Sequence, residues 1–133
     1  MTTISCRHVA LSEIEGLRAV DAYEKMVRPL DYEFDLVINA TYLVLGILTR
    51  LGTPWLYVVA TRGDRDLQLV PAVLFNFDWI RIPENWLIRL TGKDDIELVP
   101  ASLARIDNWF EKYVNAEASV VAIVDQEIDR LRL

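Results

Sequence analysis

The chain has 133 residues, 53% of them apolar and 26% charged, and a formal charge of −6. That length is one domain, able to bury roughly two-thirds of its unfolded surface without disulfides or metal, and the composition excludes intrinsic disorder. Twenty acids against fourteen bases argue against nucleic-acid binding, which needs clustered cations to displace phosphate counterions, and against docking on an anionic membrane.

Residues 1–16 lack the basic start and apolar run of a signal peptide, and Cys6 is the only cysteine. A cytoplasmic protein is therefore expected. Ser12 and Glu15 have the spacing of a capping box. Ile14, Leu17, Val20, Tyr23, Met26 and Val27 then recur at helical spacing, and Pro29 predicts a stop near Arg28. Asp31 is the expected N-cap of a second helix over 31–51, with Gly52 at C′ and Pro54 beyond it. Its uncharged run, 36–49, is fourteen residues long, short of the roughly 20 a bilayer requires. Apolar residues fall on nearly all sides of this helix, so it needs cover from a sheet and from helices or a second subunit.

The middle of the chain reads as an antiparallel meander, because its connections are too short for crossovers. Aromatic and β-branched residues predict a strand over 55–61, and Arg62-Gly63-Asp64 reads as a hairpin turn. A longer strand is expected over 67–77, with Pro71 marking an edge or a bulge. Short strands follow over 79–82, 86–90 and 96–99, the last after a turn at 91–95. Beyond Pro100, Leu103, Ile106, Trp109, Phe110 and Tyr113 form a helical stripe with Ser102 as a possible N-cap. Val120, Val121, Val124, Ile128 and Leu131 form another. One long helix or two fit this pattern, and the β-branched run at 120–124 leaves a strand start open, with helix favoured. The expected fold is a single α+β domain over 1–133: two N-terminal helices, a four- to five-stranded antiparallel meander, and a C-terminal helix packed on one face.

Motifs with chemistry are few. Cys6-Arg7-His8 holds the only cysteine and the only histidine, too few ligands for zinc. Asp31, Glu33 and Asp35 read as carboxylates favoured by a helix N-terminus. Asp94, Asp95 and Glu97 read as a solvated acidic turn. No nucleotide, metalloprotease or hydrolase signature is present, and no catalytic residue, cofactor or metal is assigned. Strand periodicity places Trp79 with Arg81 on one face, followed by Trp86 and Arg89 on the next strand. Trp and Arg dominate binding hot spots, so Trp79, Arg81, Trp86 and Arg89 form the candidate binding set.

Charge is unevenly placed: net −3 over 1–49, +1 over 50–92 and −4 over 93–133. The leading reading is a small, acidic, non-catalytic binding protein, like an antidote or regulator, whose basic protein partner is recognised by opposite charge. The alternative is a small-molecule binder or enzyme with a pocket between the sheet and helix 31–51. There Arg81 or Arg89 would hold an anion, and Tyr42, Tyr57 or Asp78 would supply polar chemistry. A purely structural subunit is a third reading. The apolar fraction exceeds the roughly 45–50% of ordinary domains, and with the all-round apolar helix it predicts a homodimer.

Overall fold

A computed structural model describes residues 3–14 and 31–132. Seven strands form one antiparallel sheet: β1 (Thr3–Cys6), β2 (Thr41–Arg50), β3 (Thr53–Ala60), β4 (Gln68–Pro71), β5 (Phe75–Asn76), β6 (Trp86–Leu90) and β7 (Ile96–Pro100). Three helices follow: α1 (Ala101–Ala104), α2 (Trp109–Val114) and α3 (Ala118–Arg132). The class is α+β with an antiparallel sheet, as expected, but the sheet has seven strands rather than four or five and is not a meander, because β5 returns to pair with β1 and β7 with β2. The helices lie at the C-terminal end of the described chain. The expected helix from Ser12 to Arg28 lies almost wholly outside the described residues. Glu15 of the expected capping box does too. Within them, Glu13 accepts from the backbone N–H groups of Val9 and Ala10 at 2.8 and 2.9 Å and closes a 3₁₀ turn at Leu11–Glu13.

The expected helix over 31–51 is incorrect. Residues 31–40 are irregular and β2 occupies 41–50. β2 pairs with β3 along one side, and with β1 then β7 along the other. A central strand covered on both faces has no polar side, so its sequence is continuously apolar, like that of a buried helix. Residues with positive φ bracket it: Asn39 at 67° before, Leu51 and Gly52 at 51° and 75° after. Arg50 pairs with Thr53 across that two-residue turn, and two consecutive positive φ values match the right-handed twist of the strands.

The run β4-β3-β2-β1-β5 cannot lie flat. Four spacings of about 4.8 Å would hold its outer strands roughly 19 Å apart. Yet β4 and β5 are joined by the 3₁₀ turn Ala72–Leu74, a rise of only about 6 Å. The sheet therefore curls until its ends approach. Curling is assisted by a bulge in β2, where Val44 pairs with Val58 and Gly46 with Tyr57, leaving Leu45 extra. A Cβ on Gly46 would sit 2.5 Å from Val99 Cγ1 and 2.9 Å from Tyr57 Cδ2. Only glycine fits there.

The expected strand over 67–77 is two strands split by that turn. Pro71 lies on β4, an outer strand of the run, as its missing N–H requires. No strand forms over 79–82: Trp79 is 71% exposed and Ile82 48%. Alternating isoleucines are not sufficient without a neighbouring edge to pair with. Strands over 86–90 and 96–99 are present, as is the one at 55–61.

The C-terminal stripe is broken at Asn108 and Ala116, with φ of 54° and 58°. Val120, Val124 and Ile128 of α3 are fully buried at helical spacing, so the 120–124 run is helix. Ser102 is not the cap of α1; its hydroxyl donates to buried Glu127 at 2.9 Å. One apolar cluster joins β1–β7 to Leu103, Trp109 and α3. Among the described residues no helix is long and apolar enough to cross a membrane.

Candidate functional site

The turn after β6 sets a register that brings Arg89 opposite Glu97. Glu97 is 4% exposed, and a buried carboxylate must be paired and hydrogen-bonded to persist. Three donors converge on it. The Tyr57 hydroxyl donates to Oε2 at 2.6 Å, the Trp109 indole N–H donates to Oε1 at 3.3 Å, and Arg89 Nε lies 3.3 Å from Oε1. The Tyr57 ring packs on those of Trp109 and Phe110, centroids 4.8 and 5.2 Å apart. Burial, with the neighbouring carboxylate second, holds the Tyr57 phenol far above its ordinary range. It therefore stays neutral and donating. Arg89 also donates through Nη1 to the carbonyls of Ala104 and Ile106 at 2.9 and 3.4 Å, fastening the end of α1 to the sheet.

Above this cluster lies a cleft of about 690 Å³ between the β2–β3 turn, the β6–β7 hairpin and α2. Asp95, Glu97, Asp107 and Glu111 line it with Arg50 and Arg89, a formal lining charge of −2. Asp95 is committed to the β2–β3 turn. It accepts from Leu51 N–H, Gly52 N–H and the Thr49 hydroxyl, all at 3.1 Å. Those donors, the Gly52 N–H foremost, hold its carboxyl below the usual range. Asp107 extends into solvent with a side chain 98% exposed, 3.9 Å from Arg89, and Glu111 is exposed on the first turn of α2.

The structure does not gather the candidate set into one face. Trp79 and Arg81 are exposed in the irregular segment before β6. Trp86 is buried at the start of β6, beside a separate cavity of about 250 Å³ that Glu127 also lines. Arg89 alone lines the polar cleft, and Tyr57 joins it there. The pocket expected against helix 31–51 has no such helix for a wall; the cleft opens against α2 instead. Glu97 is not solvated, and sequence reading grouped it with the exposed Asp94. The available signal was register: a turn centred on Lys93 places Arg89 opposite Glu97, a cross-strand pair of opposite charge.

The remaining motifs lie outside the cleft. The Cys6 thiol is buried and donates to the carbonyl of His8 at 3.4 Å, and burial raises its pKa. Asp31, Glu33 and Asp35 do not head a helix, and Asp35 offers its carbonyl to Gln68 at 2.8 Å. Gly63 turns the chain at φ 81°, and Arg132 reaches the carbonyls of Gly63 and Asp64 around that turn. Among the described residues, no three His, Cys, Asp or Glu side chains group to hold a metal ion. Comparison with protein-family models, curated proteins and solved structures returns no match.

Proposed function

We propose that the protein is a cytoplasmic, non-catalytic binding protein for a basic protein partner, and that the cleft under α2 receives the partner's lysine or arginine side chains. The observation that supports this is the division of labour among the cleft carboxylates. Glu97 and Asp95 are held by internal donors, which fix the floor and the wall. Asp107 and Glu111 stand exposed at the rim, within the segment 93–133 that carries −4. Rim charges of this kind raise the association rate and set register with an oppositely charged partner. Of the candidate binding set, Trp86 and Arg89 hold the frame, and Trp79 and Arg81 do not line the cleft.

The test is affinity capture by the full chain from an extract of its source cell, followed by titration with the purified captured protein. The proposal expects a basic partner whose affinity falls steeply with salt. It expects Asp107→Lys with Glu111→Lys to weaken binding at least tenfold at an unchanged melting temperature. Affinity indifferent to both salt and charge reversal overturns it. The cleft volume, within the roughly 300–1,000 Å³ typical of ligand sites, and the presence of Tyr57 and Arg89 favour a second reading as a small-molecule site. A small metabolite co-purifying in the cleft, with no protein partner captured, selects that reading.

A further inference from the structure

The hydrogen-bond parity of the β6–β7 hairpin identifies which backbone groups face outward. Ala101 N–H donates to Asn85 C=O at 2.8 Å and Thr91 N–H donates to Asp95 C=O at 3.1 Å. These pairs flank the ladder that runs from Trp86↔Pro100 to Leu90↔Ile96. Bonded pairs alternate along an antiparallel ladder, so Leu87 and Arg89 exchange their bonds with β7. Trp86, Ile88 and Leu90 turn their N–H and C=O groups the other way. Among the described residues β6 pairs only with β7; on its outward edge Trp86 N–H donates to Pro83 C=O at 3.2 Å, and no strand takes the Ile88 and Leu90 groups or the Trp86 C=O.

Edge strands are ordinarily blunted by lysine, proline, a bulge or an inward-pointing charge. The strand Trp86–Leu90 has no proline, no lysine and no bulge. Its one charge, Arg89, is tied to Glu97. Ile88 is 65% exposed and Leu90 78%. Of nine exposed large apolar residues among those described, five (Trp79, Ile82, Leu87, Ile88 and Leu90) fall within 79–90.

We infer that this edge pairs with the same edge of a second copy of the chain, antiparallel about a two-fold axis through Ile88. A strand edge is complementary to itself when reversed, and a two-fold dimer is the commonest closed assembly. Centring on Ile88 engages all five residues: Ile88 exchanges both bonds with its counterpart, and Leu90 N–H donates to Trp86 C=O of the other copy. Centring on Arg89 would oppose two guanidinium groups, and centring on Leu87 would leave Leu90 unpaired. Local charge favours a second copy over the basic partner. Residues 79–92 carry Arg81, Glu84 and Arg89, net +1 in a chain of −6. Copy–copy repulsion is therefore small there, and a net positive stretch does not attract a basic protein. A standard interface takes about 800 Å² per partner, a little over half of it apolar, and the apolar residues exposed along 79–90, Trp79 at 71% and Leu90 at 78% foremost, supply apolar surface of that kind. The inference does not rest on the cleft reading: its evidence is the edge of β6, which shares only Arg89 and Leu90 with the cleft lining.

Sedimentation of the full chain at micromolar concentration is expected to give twice the 15.3 kDa chain mass. Ile88→Lys buries a charge in the pairing, and Ile88→Pro deletes an outward N–H that β7 does not use. Each is expected to weaken association more than tenfold while the melting temperature holds. Ile88→Cys should cross-link under mild oxidation and Leu87→Cys should not. A bonded antiparallel pair holds its Cα atoms about 5.5 Å apart, within disulfide range, and native Cys6 is buried. A monomeric wild type, a dimer that survives both Ile88 substitutions, or equal cross-linking of both cysteine variants overturns the inference.

Discussion

Removing Arg89 tests whether Glu97 is held in the interior by its neighbours. In Arg89→Ala the carboxylate keeps the Tyr57 hydroxyl and the Trp109 indole as donors but loses its cation, and the carbonyls of Ala104 and Ile106 lose theirs. Breaking a buried pair from one side costs about 3–5 kcal/mol. Because the Arg89 side chain is 29% exposed, the lower end applies, about 3 kcal/mol and roughly 10 °C in melting temperature for a domain of this size. In a Glu97→Gln background no buried charge is left behind, so the same substitution should cost only about 1 kcal/mol, the worth of ordinary hydrogen bonds. The coupling of about 2 kcal/mol is read from a double-mutant cycle by urea denaturation, with the m-value unchanged in all four proteins. Equal cost in both backgrounds would refute the assignment of Arg89 as counter-ion to Glu97.

Gly46→Ala forces a methyl against Val99 and Tyr57 and should destabilise by about 1–3 kcal/mol; a wild-type melt would show that the bulge does not need glycine. Leu51→Asn should stabilise by about 1 kcal/mol, because Leu51 is 63% exposed at φ 51° and asparagine accepts the left-handed region; an unchanged or lower melting temperature contradicts this turn. The raised pKa values of Cys6 and Tyr57 mean that the folded state keeps protons the unfolded chain releases. Stability should therefore be complete below about pH 8 and fall above it, with the Tyr57 contribution entering near pH 10 at up to about 1.4 kcal/mol per pH unit. Cys6→Ala should delay the onset and Tyr57→Phe should flatten the upper limb; identical alkaline profiles in all three proteins would contradict burial as the cause.

Local chemistry was legible wherever one residue type decides a backbone state. Pro71 marked an edge and Gly63 a turn, and the aromatic and β-branched run at 55–61 gave β3. Where identity depended on what lay on both sides, the signal failed. A strand paired along both edges and covered on both faces has the same apolar sequence as an enclosed helix, so the pattern from Asp31 through β2 fits a helix equally well. Asn39, which takes the left-handed turn before β2, was the overlooked boundary. The candidate site was half legible for the same reason. Tyr57 and Arg89 stand out by their chemistry, but Glu97, beside the polar Asp94 and Asp95, carries the local pattern of a solvated turn. Its burial follows from Trp109 and Tyr57 closing over it, residues 12 and 40 positions away from it in sequence.

Amide hydrogen exchange of the full chain, with and without the captured basic protein, tests most directly whether that partner binds in the cleft under α2. The expected result is protection gained at 91–97 and 105–111, around Asp107 and Glu111, with β1 and the β3–β4 turn unchanged. Protection confined to β1, β4 or the 61–66 turn, with none at 105–111, would contradict docking in the cleft.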